Sequence, residues 1–138
     1  MRILAIASKS SGVSYRRILM PIVNMQKDYC LMTDVINEEV VSINYDLVVT
    51  NRMLHNVTPE QMIEWRIKYG FKLIVDNDDH WDLGASHILS ESYKENKVTE
   101  QIIAWIRIAD LCTCTHERLA AEIYHFNQNV EKLVILSA

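Results

Sequence analysis

Six short runs of mostly apolar residues recur along the chain: "RILAIA" (2–7), "YCLMT" (29–33), "DLVVT" (46–50), "KLIVD" (72–76), "LCTCT" (111–115) and "KLVIL" (132–136). They are continuous rather than alternating, as strands are when helices cover both faces of a sheet. Helical periodicity fills the intervals. In "TPEQ" (58–61), Thr58 is placed to cap a helix, Pro59 to occupy its first position and Gln61 to complete a capping box, while Gly70 ends the helix before the fourth run. Thr99 precedes a second helix with Ile102, Ile106 and Ala109 on one face and Ile103 beside them. Thr115 precedes a third, with Leu119, Ala120, Ile123 and Phe126 on its apolar side. Strand–helix–strand units with short connections predict a parallel crossover architecture. The expectation is an α/β fold, a Rossmann-like three-layer sandwich with a mostly parallel sheet of about six strands. Pro21 is expected to kink or end the first helix.

Such a sheet binds ligands beyond the C-terminal ends of its strands, where strand order reverses. That edge would carry "ASKSSGVSYRR" after strand one, "TNRMLHN" after strand three and the acidic "DNDDHWD" after strand four. Length and charge narrow the field. A chain of 138 residues, 49% hydrophobic, makes one ordinary domain with a core of its own. Its 14 Lys and Arg against 18 Asp and Glu form no basic stripe, which argues against nucleic acid as a partner. No apolar run reaches the ~20 residues of a membrane span, and the N-terminus lacks a signal-peptide core, so no transmembrane segment and a cytoplasmic location are expected. Cys30, Cys112 and Cys114 cannot all pair within one chain. They read as free, reduced, mostly buried thiols, with no ligand pattern that would make a metal site of the Cys-x-Cys.

The acidic cluster admits several chemistries. "IVDNDD" is similar to the acid pair of receiver-type phosphoacceptor sites, but only 62 residues follow Asp76, too few for the rest of such a domain. Asp76-Asn77-Asp78 also spells D-x-D, which in one class of glycosyltransferases holds a metal and a sugar-nucleotide diphosphate; three residues with two fixed are weak grounds for it. Asp and Asn also end strands for local reasons, by bonding to nearby backbone. Trp81 stands out, because an aromatic face flanked by carboxylates suits a sugar ring, although core packing would account for it equally.

Taken in order, "SGVSYRRILMP", "TNRM", "GFKLIVDNDDHW", "IADLCTCTHERLAAEI" and "NQNVEKLVIL" resemble the N-terminal half of GT-B-fold glycosyltransferases. The likeness is to a bacterial and phage group reading G-V-x-x-x-R, a strand ending in Arg, D-I-D-D-x-W, A-D-x-V-T-x-S/T and N-V-x-V-x-P-N, and it covers nearly the whole chain. The resemblance assigns Gly12 to a flexible loop lining an interdomain cleft, Arg16 and Arg52 to arginines facing that cleft, and Asp76, Asp78, Asp79 and Trp81 to the aspartate–tryptophan signature. Gly12 would permit backbone geometry closed to other residues. Arg16 and Arg17 oppose the macrodipole of a first helical turn, which an anion such as a diphosphate would explain; solvated arginines would serve as well. No catalytic residue is assigned, and none of His55, His80 or His87 is taken as a base. Asn77 departs from the family, which has an apolar residue there.

The family continues into a linker and a second Rossmann-like domain where this chain ends in "VILSA". The resemblance therefore implies the acceptor-side half of a glycosyltransferase, inactive by itself, with the donor-binding domain absent. Its partners would be a nucleotide-sugar donor and a saccharide-type acceptor, with no resident cofactor and no metal required, and an exposed interdomain face could support a dimer. The alternative is a non-catalytic α/β module that binds a small ligand or a protein partner through the same sheet edge.

Overall fold

The computed structural model describes residues 1–7, 12–25, 30–33 and 35–136. All six expected strands form: β1 (Ile3–Ile6), β2 (Cys30–Thr33), β3 (Leu47–Asn51), β4 (Lys72–Asn77), β5 (Leu111–Cys114) and β6 (Lys132–Ile135). They make one sheet in the order β2-β1-β3-β4-β5-β6, and every neighbouring pair is parallel. The fold is α/β and Rossmann-like. Because β1 lies between β2 and β3, the chain reverses its direction of travel across the sheet there, so the switch point falls between β1 and β3.

The two faces are covered unequally. Leu4, Ile6, Val48, Leu73, Val75, Cys112 and Cys114 point to one face. Against them pack α4 (Pro59–Tyr69), α6 (Val98–Ile108) and α7 (Glu117–Phe126), through Met62, Ile102, Trp105, Ile106, Leu119 and Ile123. Ile3, Ala5 and Val49 point to the other face and meet a single continuous helix: α1 (Gly12–Ser14), a π-helical segment (Tyr15–Leu19) and α2 (Met20–Met25), which contributes Ile18 and Ile22. Beyond β4 this second face is thinly covered, and Leu111, Thr113 and Val134 are only partly buried. Short helices α3 (Glu38–Val41) and α5 (Ser90–Glu95), which lack a readable apolar period, complete the chain.

The punctuation of α4 follows its sequence. Thr58 accepts from Gln61 N, Gln61 Oε1 accepts from Thr58 N, and Gly70 takes a left-handed φ of 77°. Pro21 does not end the first helix. Proline lacks an N–H and its ring crowds the carbonyl four residues back, that of Arg17, and the helix widens to π geometry over Tyr15–Leu19 before running on to Met25.

Neither Thr99 nor Thr115 serves as a helix cap. The helix after β5 is capped by His116, whose Nδ1 accepts from Leu119 N at 3.1 Å, and the one before β5 begins after Lys97 with no side-chain cap. Thr115 and Thr99 instead donate to the carbonyls of Asp78 and Trp81, each at 2.8 Å. Both hydroxyls therefore pin the loop after β4, a choice that depends on that loop being within reach.

Candidate functional site

Asp76 is the hub of the C-terminal edge. Lying at the end of β4 and 2% exposed, its carboxylate accepts from Arg17 Nε at 2.7 Å and Arg17 Nη2 at 2.6 Å, a side-on fork. Thr113 Oγ1 donates to the same carboxylate at 2.6 Å and Asn51 Nδ2 at 3.0 Å. The register explains the convergence, since Asn51, Asp76 and Thr113 are partners across β3, β4 and β5 and so share one face. Hydrogen bonding to Asp76 raises the Arg17 guanidinium above its ordinary value, against the opposing effect of burial. Arg17 Nη1 also reaches Leu136 O at 3.3 Å, tying the helix to the end of β6.

The expected site residues therefore separate. Arg17, not Arg16, meets the aspartate; a G-V-x-x-x-R spacing counted from Gly12 ends on Arg17, and that was the legible signal. Arg16 is exposed and lines a cleft of about 610 Å³ with Arg17, Asp78 and Thr115. Gly12 is the first residue of α1 rather than part of a loop; it has no positive φ, and a Cβ there would meet nothing within 4 Å. The "SKSS" stretch before it lies outside the described residues.

Asp78 is partly buried and Asp79 exposed. Of the two roles open to Trp81, the structure shows core packing. It is 2% exposed, edge-on to Phe126 at 5.9 Å and covered by the His80 ring at 4.7 Å, so neither face is open to a ligand. Because the Asp76 carboxylate is already filled by three side chains, it does not stand free beside Asp78 as a metal-binding D-x-D would require. Among the described residues no three His, Cys, Asp or Glu side chains gather where they could hold a metal ion, and no helix is long and apolar enough to cross a membrane.

Asn77 points to the opposite face from Asp76. It is fully buried, and among the described residues neither its amide nitrogen nor its oxygen has a partner. Leaving such groups unpaired is costly. Asn77→Val should therefore raise stability by about 1 kcal/mol in urea unfolding; a loss of similar size would show that the amide is satisfied after all.

Cys112 and Cys114 are free and buried on one face of β5, as the sequence suggested. Burial pushes the Cys112 thiol up to about 12 and raises Cys114 as well. Both should resist iodoacetamide at about pH 8 until the protein is unfolded, which peptide mapping by mass spectrometry reads directly. The sign of the linkage follows. Between the ordinary 9.0 and about 12 the unfolded chain releases the Cys112 proton while the folded chain keeps it, so this thiol lowers stability as pH rises through that window.

A second cleft, of about 470 Å³, opens at the switch point itself. Ile6 at the end of β1 and Thr50 at the end of β3 form its floor, and Arg52, His55, Tyr93 and Ile102 stand around it. Arg52 has φ 60°, left-handed backbone that a side chain occupies at a cost, and its N–H donates to Asp76 O at 2.8 Å. The contrast between two variants isolates that cost: Arg52→Gly should be about 1 kcal/mol more stable than Arg52→Ala in chemical unfolding. Equal midpoints would mean that the backbone relaxes away from this conformation.

Comparison with protein-family profiles, with curated proteins and with solved structures gives no match.

Proposed function

We propose that the chain is the N-terminal, acceptor-binding domain of a nucleotide-sugar-dependent glycosyltransferase of the GT-B type. In this reading a saccharide acceptor occupies the switch-point cleft, and the nucleotide-sugar donor is presented from a second domain across the same sheet edge. One observation carries it. The arginine that ends the motif spacing after Gly12 and the residues ending β3 and β4 meet at Asp76, which joins the first helix through Arg17 and the end of β3 through Asn51 and the Arg52 N–H. Asp76 and Trp81 then act as scaffolding. Arg16 and Arg52 are the side chains left to meet ligand charge, including that of a leaving diphosphate, while Asp78 and Asp79 are left to accept hydroxyl hydrogen bonds. A calorimetric titration with UDP-, GDP- and TDP-sugars and with saccharides, with and without Mn²⁺, tests the assignment. Metal-independent saccharide binding supports it, and metal-dependent sugar-nucleotide binding to this chain alone counts against it.

A non-catalytic, partner-binding module is the second reading, favoured by the first helix. Val13, Tyr15, Met20, Val23 and Met25 are all exposed on it, apolar surface that commonly marks a covered face. Light scattering across a concentration series distinguishes a chain that covers this face by self-association from one that does not.

A further inference from the structure

Arg52 lacks a counter-charge among the described residues. Among the described residues no carboxylate pairs with it; Nη1 donates to Tyr93 Oη at 3.0 Å, the guanidinium carbon lies 5.9 Å from that ring's centroid, and Nε is buried with no partner. On the Nε–Nη2 edge, Nε is shielded from solvent and no described residue accepts its N–H, so that edge lacks the partner its donors need. Arg17 uses that same edge to grip the Asp76 carboxylate from the side, which is the geometry a planar or tetrahedral oxyanion fits best. Around Arg52 the cleft is largely apolar, with Ile6, Val35, Leu54, Val98 and Ile102 on its walls. An unpaired guanidinium beside apolar walls and on left-handed backbone is unfavourable in the free protein, and an arriving anion would relieve the electrostatic part of that cost.

We infer that the switch-point cleft binds a small amphipathic anion, a carboxylate or phosphate monoester held by the Arg52 guanidinium, with its apolar or ring body against Ile6, Val98 and Ile102. The volume of about 470 Å³ suits one compact molecule of this kind. The inference rests on the acceptor reading of this cleft and deepens it: the acceptor carries an acidic group. Tyr93, whose hydroxyl accepts from Nη1, positions the guanidinium rather than meeting the anion through a charge of its own.

Three probes test it by calorimetry at fixed salt: phenyl β-D-glucuronide, phenyl phosphate and the neutral phenyl β-D-glucoside. At least one anion should bind more tightly than the glucoside, and Arg52→Gly, which suits the left-handed backbone, should weaken that anion by about tenfold or more, a larger loss than it causes for the glucoside. Which anion prevails separates a carboxylate ligand from a phosphate ester. Neither anion binding more tightly than the glucoside, an anion affinity untouched by Arg52→Gly, or no binding of either anion overturns the inference. The two readings also part: glucoside binding without preference for charge leaves the saccharide acceptor standing, whereas binding of phenyl phosphate with neither glycoside keeps the anion site and removes the saccharide.

Discussion

Replacing Asp76 by alanine is expected to lower the stability of the protein by about 3 kcal/mol, because it leaves a largely buried guanidinium without its counter-ion. Arg17, Asn51 and Thr113 all donate to that carboxylate, so the variant strands donors on three elements at once. Asp76→Asn keeps the shape but turns a charge-assisted fork into a mismatched contact, and should recover only part of the loss. The informative comparison is with Arg17→Met/Asp76→Leu, which removes both charges and should be markedly more stable than Asp76→Ala. Urea midpoints for the three variants decide it. An Asp76→Ala protein as stable as the parent would show that the hub does not hold the first helix to the sheet.

Trp81→Ala should cost about 3 to 5 kcal/mol, the range for truncating a buried aromatic side chain. The indole packs against Phe126 and lies beneath the His80 ring, with its own carbonyl held by Thr99, so truncation opens a cavity beside α7 and loosens the loop after β4. Trp81→Phe, which keeps an aromatic edge against Phe126, should cost much less. Ligand affinity separates this from a recognition role. In the folded Trp81→Phe protein, saccharide affinity should stay near that of the parent; a large selective loss at preserved stability would return Trp81 to the binding surface.

The strands were readable because each is a short apolar run bounded by polar or turn residues, and a sheet covered on both faces requires that pattern. Helix α4 was readable to its caps, because Thr58, Pro59, Gln61 and Gly70 act on neighbours within three or four residues. The other threonines were misread for the complementary reason. Thr99 and Thr115 stand where a cap is expected, yet their hydroxyls go to Trp81 and Asp78, 18 and 37 residues away. Trp81 had no periodic context to show which way it faces, and α3 and α5 were too short to leave a period at all.

By itself, then, the sequence determined the α/β class, the six strands, the main apolar helix faces and the edge on which Asp76 and Arg52 would lie, since all of these follow from local periodicity and from the chirality and length limits of parallel crossovers. Only the tertiary structure decided that Arg17, Asn51 and Thr113 fill the Asp76 carboxylate, that Trp81 is buried, and that Arg52 lines a cleft with its Nε lacking a partner among the described residues. Those outcomes depend on strand register and on distances between elements far apart in the chain, where a shift of one residue exchanges the two faces of a strand.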